Sequence, residues 1–214
     1  MKALLHNLGL GDHILCNGLV RELCKREESL SLFVLEKNAK NVAFMFSDLD
    51  NLNLIEVDNG IHSFDDIGIN DIGDFEIINV SGNTHGNGFE RKFYERAKVD
   101  FEKKWESFHV PRCIDKEKKL FDSLGLVEGE YSFVHEWNKL SIPDNPPLRN
   151  VRPFMELGDF FDFGYLIENA AEIHCMESSF KNLIEFLDLK TSFLRFYKGR
   201  EGSKSLSRLN WEEV

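Results

Sequence analysis

The sequence predicts an α/β protein built as two successive parallel-sheet units. Short apolar runs alternate with amphipathic helical stretches along the first half of the chain, the pattern of parallel strands joined by crossover helices and covered on both faces. The same series restarts near residue 125, after a long charged helical stretch, which places one unit at 1–125 and a second at 126–214. With 214 residues, of which 42% are hydrophobic, the chain has enough apolar material for one large domain or two small ones.

In order, a strand is expected over residues 1–6. A helix follows over 12–27, with Ile14, Leu15, Leu19, Leu23 and Cys24 on one side, then a strand over 30–35. A helix over 38–46 leads to strands over 52–57 and 75–80, separated by a turn-rich piece with Asp65, Asp66, Gly68 and Gly73. A glycine-containing loop over 81–88 precedes a helix over 89–108, whose stripe of Phe93, Ala97, Phe101 and Trp105 reads as packing. A helix over 116–124 is closed by Gly125. The second series runs as a strand (131–137), a Pro-rich loop (142–152), a helix (160–171), a strand (173–176), a helix (178–187) and a strand (192–197). The polar tail over 199–214 is expected to be peripheral.

Composition narrows the classes of function. A net charge of -11 argues against a nucleic-acid backbone or an anionic membrane as the main partner, because both reward clustered Lys and Arg. No apolar run approaches the roughly 20 residues of a spanning helix, and the first residues lack the pattern of a signal peptide, so the expected setting is cytoplasmic, without stable membrane insertion. Cys16, Cys24, Cys113 and Cys175 show no Cys-x-x-Cys spacing and read as buried free thiols.

The most informative stretch is Leu8 to Val20. A strand runs into Gly9 and Gly11, and Asp12 stands where a helix begins, so backbone amides and a carboxylate are offered together at a strand's carboxyl end. The next glycine is Gly18, which excludes the dinucleotide fingerprint, and no Gly-Lys-Ser/Thr follows, which excludes a P-loop. The pattern of strand, Gly-Asp and apolar helix resembles the first loop of the heptosyltransferase-like glycosyltransferases of family 9. In the second half, Leu166 to Glu185 resembles the helix, strand and donor-binding turn of GT-B glycosyltransferases, and the strand at Tyr131 with its following loop resembles the opening of their donor domain.

That resemblance implies two small Rossmann-like units facing a cleft and a sugar moved from a nucleotide-sugar donor to a glycan or lipid-linked acceptor. It implies neither cofactor nor obligatory metal. Asp12 would be the general base that takes the acceptor proton, although an aspartate there also suits a helix cap. Lys139 would meet the leaving diphosphate, and Glu177 the ribose hydroxyls. Ser178 and Ser179 would cap the following helix and donate hydroxyls at its first turn. Gly11, His13 and His85 would lie on the acceptor side. Arg91 and Arg112 are further phosphate candidates, and His135 a weaker one at a strand end.

Two rivals come from other classes: a binding module of the same fold that holds a nucleotide or glycan without turnover, and a nucleotide-sugar modifying enzyme such as an epimerase. The second lacks the dinucleotide glycines. Asp48-Leu-Asp50 matches the Asp-x-Asp of metal-dependent GT-A enzymes but falls on a connecting turn, and the seven scattered His residues offer no zinc site.

Overall fold

Six consecutive buried residues, Leu30–Leu35, form strand β2, and a strand buried at every position needs cover on both faces. The computed structural model describes residues 1–60, 75–82, 86–136, 148–153, 157–198 and 203–214. There β2 lies between β1 (Lys2–Leu5) and β3 (Leu52–Val57), while β4 (Glu76–Asn79) flanks β1 on its other side. The order β3-β2-β1-β4 is parallel throughout. Helices α1 (Leu10–Leu15), α2 (Asn17–Cys24), α3 (Glu36–Met45), α4 (Arg91–Arg96) and α5 (Lys103–Glu106) complete this unit with the two-residue strand β5 (Gly86–Asn87). Ala3, Leu5 and Phe33 form a core patch against which Leu8, Ile55, Val57, Phe75 and Ile77 pack.

The second unit holds β6 (Tyr131–His135), β7 (Arg149–Val151), β8 (Glu172–Met176), β9 (Leu194–Tyr197) and β11 (Glu212–Glu213), again all parallel, in the order β11-β9-β8-β6-β7. Its helices are α6 (Ile114–Ser123), a 3-10 turn at Phe160–Phe163, α7 (Gly164–Glu168) and α8 (Ser179–Ile184); β10 (Ser203–Lys204) is a two-residue strand. Phe180 is ringed by Phe133, Phe160 and Phe163, with centroids 5.6, 4.4 and 5.7 Å away.

Several expectations are corrected. The chain divides at Pro111/Arg112 rather than near 125. The reason is α6, which packs on the 3-10 turn and α7, with the Phe121 ring 5.3 Å from Tyr165 and 5.9 Å from Tyr131. The helix expected over 12–27 breaks at Cys16 (φ -90°, ψ 3°), where the Asn17 side chain turns to bond both backbone groups of His109. The helix expected over 89–108 breaks at Lys98, which takes a left-handed φ of 54°. A strand, β7, lies inside the expected Pro-rich loop. The tail is not peripheral: β11 extends the sheet, and Ser205 is buried. The turn-rich piece around 65–73 lies outside the described residues. Among the described residues no helix is long and apolar enough to cross a membrane.

Strand order fixes where a ligand is expected. In open parallel sheets, ligands bind beyond the carboxyl ends of the strands, where neighbouring strands send their connections to opposite sides. In the first unit the order reverses between β1 and β4. In the second, renumbering the strands 1 to 5 along the chain gives the doubly wound order 2-1-3-4-5, whose reversal lies between β6 and β8.

Candidate functional site

At the first reversal the turn after β1 carries Gly9, Gly11 and Asp12. Helix α1 starts two residues earlier than expected, at Leu10 with Gly9 as N-cap, so Asp12 occupies its third position. The backbone N–H groups of Asp12 and His13 both donate to the Gly9 carbonyl, at 3.0 and 3.1 Å. Asp12 is half-buried, and its Oδ2 lies 2.8 Å from where a Cβ on residue 9 would stand. Glycine at position 9 therefore lets the carboxylate fold back over the turn. Asn7 ties this turn to the loop after β4, donating to the Gly82 carbonyl (3.2 Å) and accepting from the Gly82 N–H (3.0 Å). Gly82 has a φ of +131°, a conformation suited to glycine.

Beneath the turn sit two imidazoles. His13 is fully buried, which corrects the expectation of an acceptor contact, because its ring presents no surface. Its partner is His6, with ring centroids 4.2 Å apart in an edge-to-face contact. Burial lowers the pKa of His6 to about 4 and holds His13 well below the usual histidine value, with the neighbouring His6 adding to the effect. Cys16 lies in the same interior, its thiol pushed well up by burial.

At the second reversal, Ser178 is the N-cap of α8 as expected, its Oγ accepting the Lys181 N–H at 3.3 Å. The same oxygen is 3.1 Å from His135 Nδ1, a bond joining the end of β6 to the turn after β8. Burial brings the pKa of His135 to about 4, so the ring is neutral at pH 7. Sequence reasoning underrated this residue, because only the strand order puts it beside Ser178. Ser179 is the first residue of α8 and half-buried.

Glu177 faces the tail: its Oε1 accepts from Ser205 Oγ at 2.9 Å and from the Ser205 N–H at 3.4 Å. Ser205 also takes the ammonium of the buried Lys181, on its carbonyl at 3.2 Å and its Oγ at 2.8 Å. Glu185, 3.5 Å from Lys181, in turn receives Ser207 Oγ, the Arg208 N–H and Trp211 Nε1. The turn after β8 is thus clasped to the chain's last residues by a buried polar network.

Other candidates have structural duties. Arg112 is held by Glu117 and Glu168, and Arg91 stacks over Phe101 at 4.1 Å. Asp48 forms a two-pronged ion pair with Arg21, both contacts 2.8 Å, and the guanidinium's hydrogen bonds lower its pKa. All four cysteines are free, three buried and Cys113 half-buried. Lys139 and His85 lie outside the described residues.

No family model and no curated protein matches the sequence. The fold, however, is similar to that of a solved structure, the glycosyl transferase family 9 from Veillonella parvula DSM 2008, with a TM-score of 0.62 at 12% identity. The likeness covers 100% of this chain and 86% of that one. It extends to the architecture: an α/β chain of Rossmann-like parallel-sheet units, of the kind found in a glycosyl transferase family 9 protein.

Proposed function

We infer that the chain is a glycosyltransferase moving a sugar from a nucleotide-sugar donor to a hydroxyl of a glycan or lipid-linked acceptor, of heptosyl- or hexosyltransferase type and without an obligatory metal. One coincidence carries this reading: a full-length likeness of fold to a glycosyl transferase family 9 protein, in a chain whose strand order sets Asp12 at a sheet reversal. The setting it implies is cytoplasmic surface-polysaccharide assembly.

In this reading Asp12 takes the proton from the acceptor hydroxyl as that oxygen attacks the anomeric carbon, while the bond from that carbon to the nucleoside diphosphate breaks. Negative charge grows on the departing diphosphate. Lys139, with the hydroxyls of Ser178 and Ser179, offsets that charge. Glu177 accepts from the ribose hydroxyls, and Gly11 and His85 line the acceptor side. A neutral His135 bonded to Ser178 fixes the hydroxyl's direction without adding charge.

A thermal-shift panel of nucleoside diphosphates and nucleotide sugars, with NAD as control, tests the reading. A true ligand at 100 times its Kd adds about 2.7 kcal/mol of stability. Stabilisation by one nucleoside diphosphate, with release of that diphosphate from its sugar conjugate when acceptor glycans are supplied, is the expected result. Binding without release leaves a binding module of the same fold, and response to NAD alone removes the glycosyltransferase reading.

A further inference from the structure

His6 and His13 bracket the Gly9–Asp12 turn, one just beyond β1 and one inside α1. Both are buried, at 1% and 0% exposure, and their rings are in direct contact. His6 Nδ1 lies 2.6 Å from the Asn7 carbonyl, which can only accept, so Nδ1 carries the ring proton and Nε2 is a bare lone pair. Among the described residues, that atom and both His13 nitrogens have no hydrogen-bond partner. Two phenylalanines would make a similar ring contact without leaving three buried polar atoms unpaired, each a cost to stability. What imidazoles offer instead is a change of charge.

Among the described residues, nothing packed around the pair offsets such a charge. His6 is the one titratable group among the described residues acting on His13, and none of them acts on His6. Asp12, Glu90 and Lys104 act on Cys16, and the last two are a buried ion pair at 2.7 Å. On α3, which packs on α1, the charged residues Glu36, Lys37 and Lys40 are exposed. On α2, Arg21 is committed to Asp48, and Arg96 donates to the Val80 and Ser81 carbonyls beside β4. We propose that the His6–His13 pair is a neutrality latch, which holds the Asp12 turn against the sheet only while both rings are uncharged, so that acid releases the turn before it unfolds β2.

The sign follows from linkage. Both rings have lower pKa values closed than open, so below about pH 6.5, the ordinary histidine value, the opened turn binds more protons. Closure is fully favoured above that pH and is lost as pH falls towards 4. Each ring changes the opening equilibrium by about tenfold per pH unit in that window, and the two together by about a hundredfold. The structural claim stands apart from the transferase reading, and only its consequence for activity rests on Asp12 as base.

Amide hydrogen exchange on the full chain at pH 7.5 and 5.0, corrected for intrinsic rates, tests the latch. The Asp12, His13 and Cys16 amides, which bond to the Gly9 and Asp12 carbonyls, should lose at least a hundredfold in protection relative to β2. In a His6→Phe/His13→Phe variant that difference should shrink below tenfold. Unchanged protection at pH 5.0, an equal loss in β2, or a double variant that keeps the parent's pH dependence would overturn the proposal. Ring NMR on the parent supplies a check that needs no variant: both rings must stay neutral until the turn opens, and a ring that ionises near pH 6.5 under a protected turn contradicts the latch.

Discussion

At the first sheet reversal, the turn after β1 is shaped mainly by what is missing: residue 9 has no side chain, so the Asp12 carboxylate folds over it, and the imidazoles below leave nitrogens unpaired. At the second, the turn after β8 is crowded with bonds: Ser178 caps α8 and meets His135, while Glu177 and Lys181 both hold Ser205. Steric permission leaves a carboxylate responsive to its surroundings. A dense network fixes side chains and ties them to distant chain. This difference matches the roles proposed for them, proton transfer at the first turn and binding of a ligand's polar groups at the second.

This contrast can be broken or sharpened by substitution, beginning with the largest effect. Lys181→Ala removes the cation from the second network. Glu185 keeps its donors from Ser207, Arg208 and Trp211, so a loss of about 3–5 kcal/mol is expected from the broken buried pair and the cavity, read by urea unfolding. A loss below about 1 kcal/mol would mean that the clasp contributes little. Gly9→Ala acts on the other turn. The backbone there (φ -68°, ψ 147°) suits alanine, but the new methyl displaces Asp12 Oδ2, so stability should hold while transfer falls roughly tenfold to a hundredfold through misplacement of the carboxylate. Parent-like turnover would show that Asp12 needs no such placement. Ser178→Ala is the mildest: loss of the cap should cost about 1 kcal/mol in thermal unfolding, and His135 should titrate at a changed pKa by NMR. An unmoved His135 would mean that the Ser178 contact is not formed in solution.

Legibility in the sequence followed the same division. β2 and β3 run over the residues that their apolar runs and flanking turns predict, because burial and hydropathy coincide there. The breaks at Cys16 and Lys98 were hidden, since the apolar spacing continues across both and the interruptions come from tertiary bonding and backbone conformation. The tail was misread because its anchors are polar: Ser205, and Trp211 bonding to Glu185, sink into the fold through hydrogen bonds that hydropathy does not register. Of the candidate site, the Gly9–Asp12 and Glu177–Ser179 turns were legible as strand ends followed by helix starts. Pairings such as His6 with His13, or His135 with Ser178, depend on which strands are neighbours, and chain order alone does not give that.

The central claim is that Asp12 is a base rather than a helix cap, and Asp12→Asn tests it most directly. Asparagine keeps the shape and much of the hydrogen bonding but cannot accept the acceptor's proton at neutral pH. Steady-state transfer should fall by roughly 100-fold or more, on the usual scale of general-base catalysis, with donor Kd and Tm nearly unchanged. Transfer at the parent rate by a folded Asp12→Asn protein would contradict the account.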